Sequence, residues 1–196
     1  MPQLWIVAGP NGSGKTTLVR SGVLQRHIGP DTRHINPDDI TAELRRLDPA
    51  TAQDALNLRA AQMSDAELDQ CIASGHSVLV ETVLSSDKFK PRVAAARAAG
   101  FTIGLTFVVL ADPALSVDRV AQRVALGGHD VPQERIRARW YRAVANMPWF
   151  ADHADIVQVI DNSQIANPVL IAEKAEGRWT IPRLERFLSY FASVPG

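Results

Sequence analysis

The sequence predicts a doubly wound α/β fold built on a mainly parallel sheet of five strands. Three observations carry that expectation. Short apolar runs, Leu4–Ala8, Ser77–Val80, Thr102–Leu110 and Ile156–Ile160, lack the polar alternation of a half-exposed strand. They read as strands buried on both faces, as parallel strands are. Segments with helical spacing separate them, the alternation that a parallel sheet with helices on both faces requires. The first run stops at a glycine-rich turn, Gly9–Gly14, that leads into a helix. A chain of 196 residues suits one domain, residues 1–196, which at this size buries roughly 70 % of its unfolded surface.

The elements follow in order. After Leu4–Ala8 comes a helix over 15–22, then a weak second strand at His34-Ile35 ahead of Asn36-Pro37-Asp38. Residues 39–46 and 52–74 read as helices. In the second of these, Ala55, Leu58, Ala61, Leu68 and Ile72 recur at helical spacing before Gly75. The third strand, Ser77–Val80, is followed by a helix over 87–99 that Gly100 closes. The fourth, Thr102–Leu110, is followed by a helix opened by Pro113 and running to about Leu126. Gly127–Pro132 is a loop, and a helix runs from about Gln133 to Asn146. Beyond the fifth strand, Val169–Ala172 and Arg178–Ile181 flank the turn Glu176-Gly177 and suggest a small hairpin. An amphipathic helix over 182–192 ends the pattern.

Composition narrows the function. Twenty-one basic and 21 acidic residues cancel, which argues against general binding to nucleic acid or to an anionic membrane surface. The cancellation is uneven along the chain. Residues 31–87 hold 11 acids and 4 bases, whereas residues 115–147 hold 6 bases and 3 acids. A lone cysteine, Cys71, forms no internal disulfide and no cysteine-based zinc site; on an apolar helix face it reads as a small hydrophobe. The N-terminal residues have no basic region or cleavage site of a secretory signal. Phe101–Ala111 is too short to span a bilayer. A soluble, cytoplasmic protein is expected.

Gly9-Pro10-Asn11-Gly12-Ser13-Gly14-Lys15-Thr16 fits G-x-x-x-x-G-K-[ST], with Thr17 following. Glycines let the backbone wrap an anion so that successive N–H groups point inward, and the helix that follows adds its positive end. In such a loop the lysine reaches the β- and γ-phosphates and the Thr16 hydroxyl ligates Mg²⁺. ATP and Mg²⁺ are therefore the expected cofactors. No N-K-x-D guanine motif is present. A small kinase with a P-loop is the expectation that remains.

Candidates for the chemistry lie at strand ends. Asp38, with Asp39, follows the second strand, whose C-terminal end opens beside the phosphate loop. A carboxylate there can accept the proton of an attacking hydroxyl; an Asp at the start of a helix is also a preferred cap. Glu81 and Thr82 end the third strand, where an acid can hold Mg²⁺ through water or bind substrate. Arg59, on the long helix, lies near the expected acceptor entrance and equally suits a solvated surface. Arg119 and Arg123 lie four apart on one helix, and Arg135, Arg139 and Arg142 share a face of the next. With Arg137, they surround a Gly-Gly-His hinge, the makings of a helical lid over 119–147. Arginine forks there would neutralise charge on a transferred phosphoryl group. His129 in the hinge suits either a phosphate contact or an exposed loop position. Asp161-Asn162-Ser163 suits either an adenine-flanking loop or a polar turn. Trp140, Trp149 and Phe150 read as packing residues.

Taken in order, GPNGSGKTT, INPDDI, SVLVETVLSS, RVAQRVALGGHDVPQERIRARWYRAVANM and VQVIDNS resemble the zeta-toxin-like family of P-loop kinases across most of residues 3–163. The resemblance implies ATP-dependent phosphorylation of a hydroxyl on a small molecule, a UDP-N-acetyl amino sugar in that family, and an antitoxin partner. It implies that Asp38 is the catalytic base and that Lys15 and Thr16 serve the phosphates and Mg²⁺. It also implies that Glu81 and Thr82 contact substrate and that Arg123 binds phosphate. His129 stands where the family carries a second lid arginine, so Arg139 or Arg142 is expected to supply that charge. Two other readings remain open at this point: an ATP-binding regulatory or toxin–antitoxin module without kinase activity, and a nucleoside or RNA-end kinase.

Overall fold

The computed structural model describes residues 1–25, 27–128, 130–164 and 167–192. Five parallel strands form its centre: β1 (Gln3–Ala8), β2 (Arg33–Ile35), β3 (Val78–Thr82), β4 (Thr102–Val109) and β5 (Ile156–Asp161). Among the described residues the sheet has seven strands in the order β2-β3-β1-β4-β5-β6-β7, the last two being β6 (Val169–Ala175) and β7 (Arg178–Thr180). The expected hairpin is therefore not a separate appendage. It extends the sheet, with β6 antiparallel to β5. Lys174 on β6 donates to the carbonyls of Ala151, Asp152 and Ala154 at 2.9–3.2 Å, covering the open C-terminal carbonyls of the helix before β5.

Strand β1 lies between β3 and β4. The chain therefore winds to one side of β1 and then to the other, which leaves a crevice at the C-terminal ends of these strands. The helices are α1 (Lys15–Arg20), α2 (Pro37–Leu47), α3 (Gln53–Ala73), α4 (Lys90–Ala98), α5 (Pro113–Ala125), α6 (Gln133–His153) and α7 (Leu184–Ala192). Asn-Pro and Asp-Pro start two of them. Asn36 and Asp112 accept from the N–H groups of Asp38 and Ala114, and a proline takes the first helical position after each. Helix α6 runs past the expected end at Asn146, straight through Pro148. The proline forfeits one helical hydrogen bond. Met147, Phe150 and Ala151 are buried around it, and their burial outweighs that loss.

The strands are dry, as their lack of alternation predicts: Leu4, Trp5, Val7, Val78 and Val80 are wholly buried. Gly104 on β4 makes room for the Trp5 ring, since a Cβ there would come within 2.1 Å of it. The indole donates to Thr106 Oγ1 at 3.0 Å. Trp140 is buried and donates to the Leu110 carbonyl at 3.1 Å. Cys71 is only half-buried against this core. Among the described residues no helix is long and apolar enough to cross a membrane.

Candidate active site

The crevice beside β1 is a cleft of about 720 Å³. Its floor is the loop between β1 and α1. At Gly9 (φ 145°) a Cβ would lie 2.0 Å from the Val108 carbonyl, and at Gly14 (φ 94°) 2.5 Å from Asn162 Nδ2. Both positions need glycine for space and for backbone conformation. Lys15 Nζ donates to the Gly9 and Pro10 carbonyls at 2.9 and 3.0 Å. Burial lowers its pKa to about 8. Asp38 and Glu81 oppose that shift, and Arg123 and Arg139 add to it.

Beside the lysine, Thr16 Oγ1 donates to Glu81 Oε2 at 2.6 Å. The other oxygen of Glu81 meets His34 Nε2 at 2.9 Å and accepts from Asn36 Nδ2 at 3.1 Å. Burial by itself raises the Glu81 pKa. The hydrogen bonds from His34 and Thr16 and the charge of Lys15 outweigh it and hold the carboxyl below its usual range. Asn36 also turns its Oδ1 to the N–H of Asp38 at 2.9 Å. One residue thus fixes Glu81, starts α2 and aims Asp38 into the cleft.

The roof comes from α5 and α6. Arg119, Arg123 and Arg139 line the cleft with Asp38. Arg123 Nη1 stands 3.9 Å from Asp38 Oδ2, with Arg123 half-buried and Asp38 largely open to solvent. Burial and the charges of Arg135 and Arg142 hold the Arg139 pKa below the ordinary guanidinium value, with Asp38 opposing. Arg119 Nη2 donates to the Ser163 carbonyl at 3.1 Å. Arg142 and Arg59 are exposed and stand outside the cleft lining, and so does Arg137. His129 lies outside the described residues.

Opposite the loop, the wall consists of Ala61 and Ser64 from α3, the Thr82–Ser86 segment, Lys88 and Phe89. Leu84 there adopts φ 62°, rare for a branched side chain. Thr82 Oγ1 accepts from its N–H at 3.2 Å, and Asn146 of α6 donates to its carbonyl at 2.9 Å. Strain at a residue lining a cleft, held from two sides, is typical of a functional wall. A smaller pocket of about 410 Å³ adjoins the loop, lined by Thr17, Gln122, Ile160, Asn162 and Pro168 among others.

Sequence reading brought Lys15, Thr16, Asp38, Glu81, Thr82, Arg119, Arg123 and Arg139 to one place. It missed His34, Asn36, Asn146 and Lys88. Only Asn36 carried a signal, as the cap in Asn-Pro-Asp. The other three act through tertiary contacts that no spacing encodes.

The zeta toxin family model matches residues 1–174. No curated protein matches the sequence. Several solved structures share the fold. The AvrRxo1-ORF1:ORF2 complex with ATP aligns at 18 % identity and TM-score 0.77, covering 100 % of this chain and 66 % of that one. Its native form is covered over 63 % of its length, so this chain spans just under two thirds of those structures. The PezAT toxin–antitoxin system of Streptococcus pneumoniae aligns at 15 % identity and TM-score 0.64, covering 98 % and 85 %. The Pnkp1/Rnl/Hen1 RNA repair complex aligns at 20 % identity and TM-score 0.57, covering 76 % and 46 %.

Proposed function

The chain belongs to the zeta toxin family, and on that premise we propose that it is an ATP-dependent kinase that phosphorylates a hydroxyl of a small molecule. One observation carries the reading. A cleft carboxylate, Asp38, faces Arg123 at 3.9 Å beside a phosphate-binding loop. That pairs a base for the nucleophile with a cation for the group it attacks.

In this mechanism the backbone N–H groups of the loop and Lys15 hold the β- and γ-phosphates. The adenine end of the nucleotide lies toward the smaller pocket of Thr17, Gln122 and Asn162. The acceptor lies on the Thr82–Lys88 side. Its hydroxyl oxygen attacks the γ-phosphorus, its proton passes to the Asp38 carboxylate, and the bond to the β-phosphate oxygen breaks to release ADP. Arg123 and Arg139 meet the charge that spreads over the transferred group. Mg²⁺ bound with the nucleotide supplies neutralisation at the β- and γ-phosphates. Thr16 Oγ1 and an ionised Glu81, 2.6 Å apart, offer the oxygen donors such a hard cation takes.

A UDP-N-acetyl amino sugar is the first acceptor to try, on the family resemblance. An antitoxin protein partner belongs to the same reading, supported by the paired proteins in the AvrRxo1 and PezAT structures. The test is an ATP-consumption screen over sugar nucleotides, sugars and nucleosides, with Asp38→Ala as control. Loss of a general base costs about 10²–10⁴-fold in rate, so turnover should collapse while ATP binding persists. A folded Asp38→Ala protein with full activity would falsify the assignment of the base.

A further inference from the structure

The C-terminal helix reaches the nucleotide loops through one buried carboxylate. Asp161, the last residue of β5, is wholly buried. Its Oδ1 accepts from Ser163 N at 2.7 Å and from Ser163 Oγ at 2.5 Å. Its Oδ2 forms an ion pair with Arg186 Nε of α7, and the buried Tyr190 of the same helix helps keep the carboxylate ionised. Arg186 and Tyr190 are four apart and so share one face of α7. A carboxylate taken out of water requires such partners. They work: although burial alone raises the Asp161 pKa, these hydrogen bonds hold it below the usual range. Burial and the adjacent carboxylate push Tyr190 up to about 12, so its hydroxyl stays a donor.

The two residues after Asp161 touch the active site from behind. Asn162 Nδ2 donates to the carbonyl of Ser13 in the phosphate loop at 2.8 Å. It fills the space that only a glycine at 14 leaves open. Ser163 Oγ accepts from Ala111 N at the exit of β4, at 2.8 Å, and its carbonyl accepts from Arg119 of the roof. Three consecutive residues therefore tie α7, the exit of β4, the roof and the phosphate loop together. The family match ends at residue 174 and α7 begins at Leu184, so the α7 end of this tie lies outside the part of the chain that the family pattern covers.

We propose that α7 is a latch that sets nucleotide affinity. Arg186 and Tyr190 hold Asp161, and Asp161 fixes the Asn162–Ser163 turn that braces the phosphate loop and Arg119. These are positioning residues, since neither Arg186 nor Tyr190 lines the cleft. The inference rests on the proposed ATP site.

The test is calorimetric titration of the full chain with Mg-ATP. Losing a hydrogen bond to a charged group corresponds to about a tenfold change. Arg186→Gln should weaken ATP binding about tenfold and Tyr190→Phe less, while Arg186→Lys recovers most of the loss. Asn162→Ala should weaken binding comparably, and adding Arg186→Gln to it should cost less than about twofold more, because the two act in series. Tyr190→Phe removes a single oxygen and keeps the test open if Arg186→Gln does not fold. Three results overturn the latch: folded variants that bind ATP within twofold of the parent, additive losses in the double variant, or a Lys variant no better than Gln. Failure of the unaltered protein to bind ATP overturns the nucleotide site itself, and the latch with it.

Discussion

The floor and the roof of the cleft are built on opposite principles. On the floor the charged side chains already have partners. Lys15 rests on two loop carbonyls, and Thr16, His34 and Asn36 converge on Glu81. In the roof, like charges crowd together. Arg139 sits among Arg135 and Arg142, and Arg123 Nη1 meets the Asp38 carboxylate only at 3.9 Å. A preformed floor gains little from reorganising when an anion arrives. A roof of mutually repelling cations gains most when negative charge develops beneath it. On the proposed kinase reading, the difference would give ground-state binding to the floor and transition-state stabilisation to the roof.

The sharpest way to break this division is Arg123→Ala. Removing a donor aimed at developing charge costs about 10²–10³-fold in turnover. ATP affinity should change by no more than a few-fold. Parallel measurement of kcat and of the ATP dissociation constant decides it. Equal losses in both would make the roof a ground-state clamp and erase the contrast with the floor.

A smaller effect probes the floor. Asn36→Ala removes the hydrogen bond to Glu81, the one to the Asp38 N–H and the cap of α2 together. Losing the residue that orients a metal-binding carboxylate costs about 10–100-fold in metal affinity or activity. Losing the cap costs about 1 kcal/mol of stability. The Mg²⁺ concentration needed for half-maximal activity should therefore rise, and the melting temperature should fall by a few degrees. Asn36→Asp, which keeps the cap acceptor but sets a second carboxylate against Glu81, should restore the melting temperature more than the Mg²⁺ dependence. If the two recover together, Asn36 serves only the helix.

The same contrast explains what was legible in the sequence. The floor's backbone is a local pattern. A loop with glycines at positions 9, 12 and 14, then Lys15 and Thr16, follows a dry strand, and each residue type answers a local steric or electrostatic demand. The parallel strands were legible for a similar reason, since burial on both faces leaves no polar alternation. His34 was not legible as a partner of Glu81, because the separation of 47 positions between them is closed by the β2–β3 pairing, which neither side chain announces. Among the lid arginines, helical spacing gave the shared face of Arg135, Arg139 and Arg142. It could not say which of the three would turn into the cleft, since that depends on how α6 rolls against α5. The antiparallel extension by β6 and β7 reads from the sequence as a hairpin but not as part of the sheet, because pairing with β5 is a long-range choice.

The smallest effect is a proton. Burial holds the Lys15 pKa at about 8, so in the free protein near pH 8 about half the molecules carry a neutral lysine. Bound phosphates favour the ammonium form. Binding at pH 8–9 should therefore take up protons. Near pH 6.5 Lys15 is already charged and contributes no uptake. By linkage, ATP affinity should be flat in Lys15 ionisation below about pH 7. It should fall as pH rises through 8, by at most tenfold per unit. Titrations at pH 8.5 in two buffers of different ionisation enthalpy measure the uptake directly. Lys15→Arg, which stays charged throughout this range, should abolish it even if it binds more weakly. A floor lysine that shows no uptake would be fully charged before ATP arrives. The floor would then carry its full positive charge at rest as the roof does, and the contrast between the two would narrow to their hydrogen bonds.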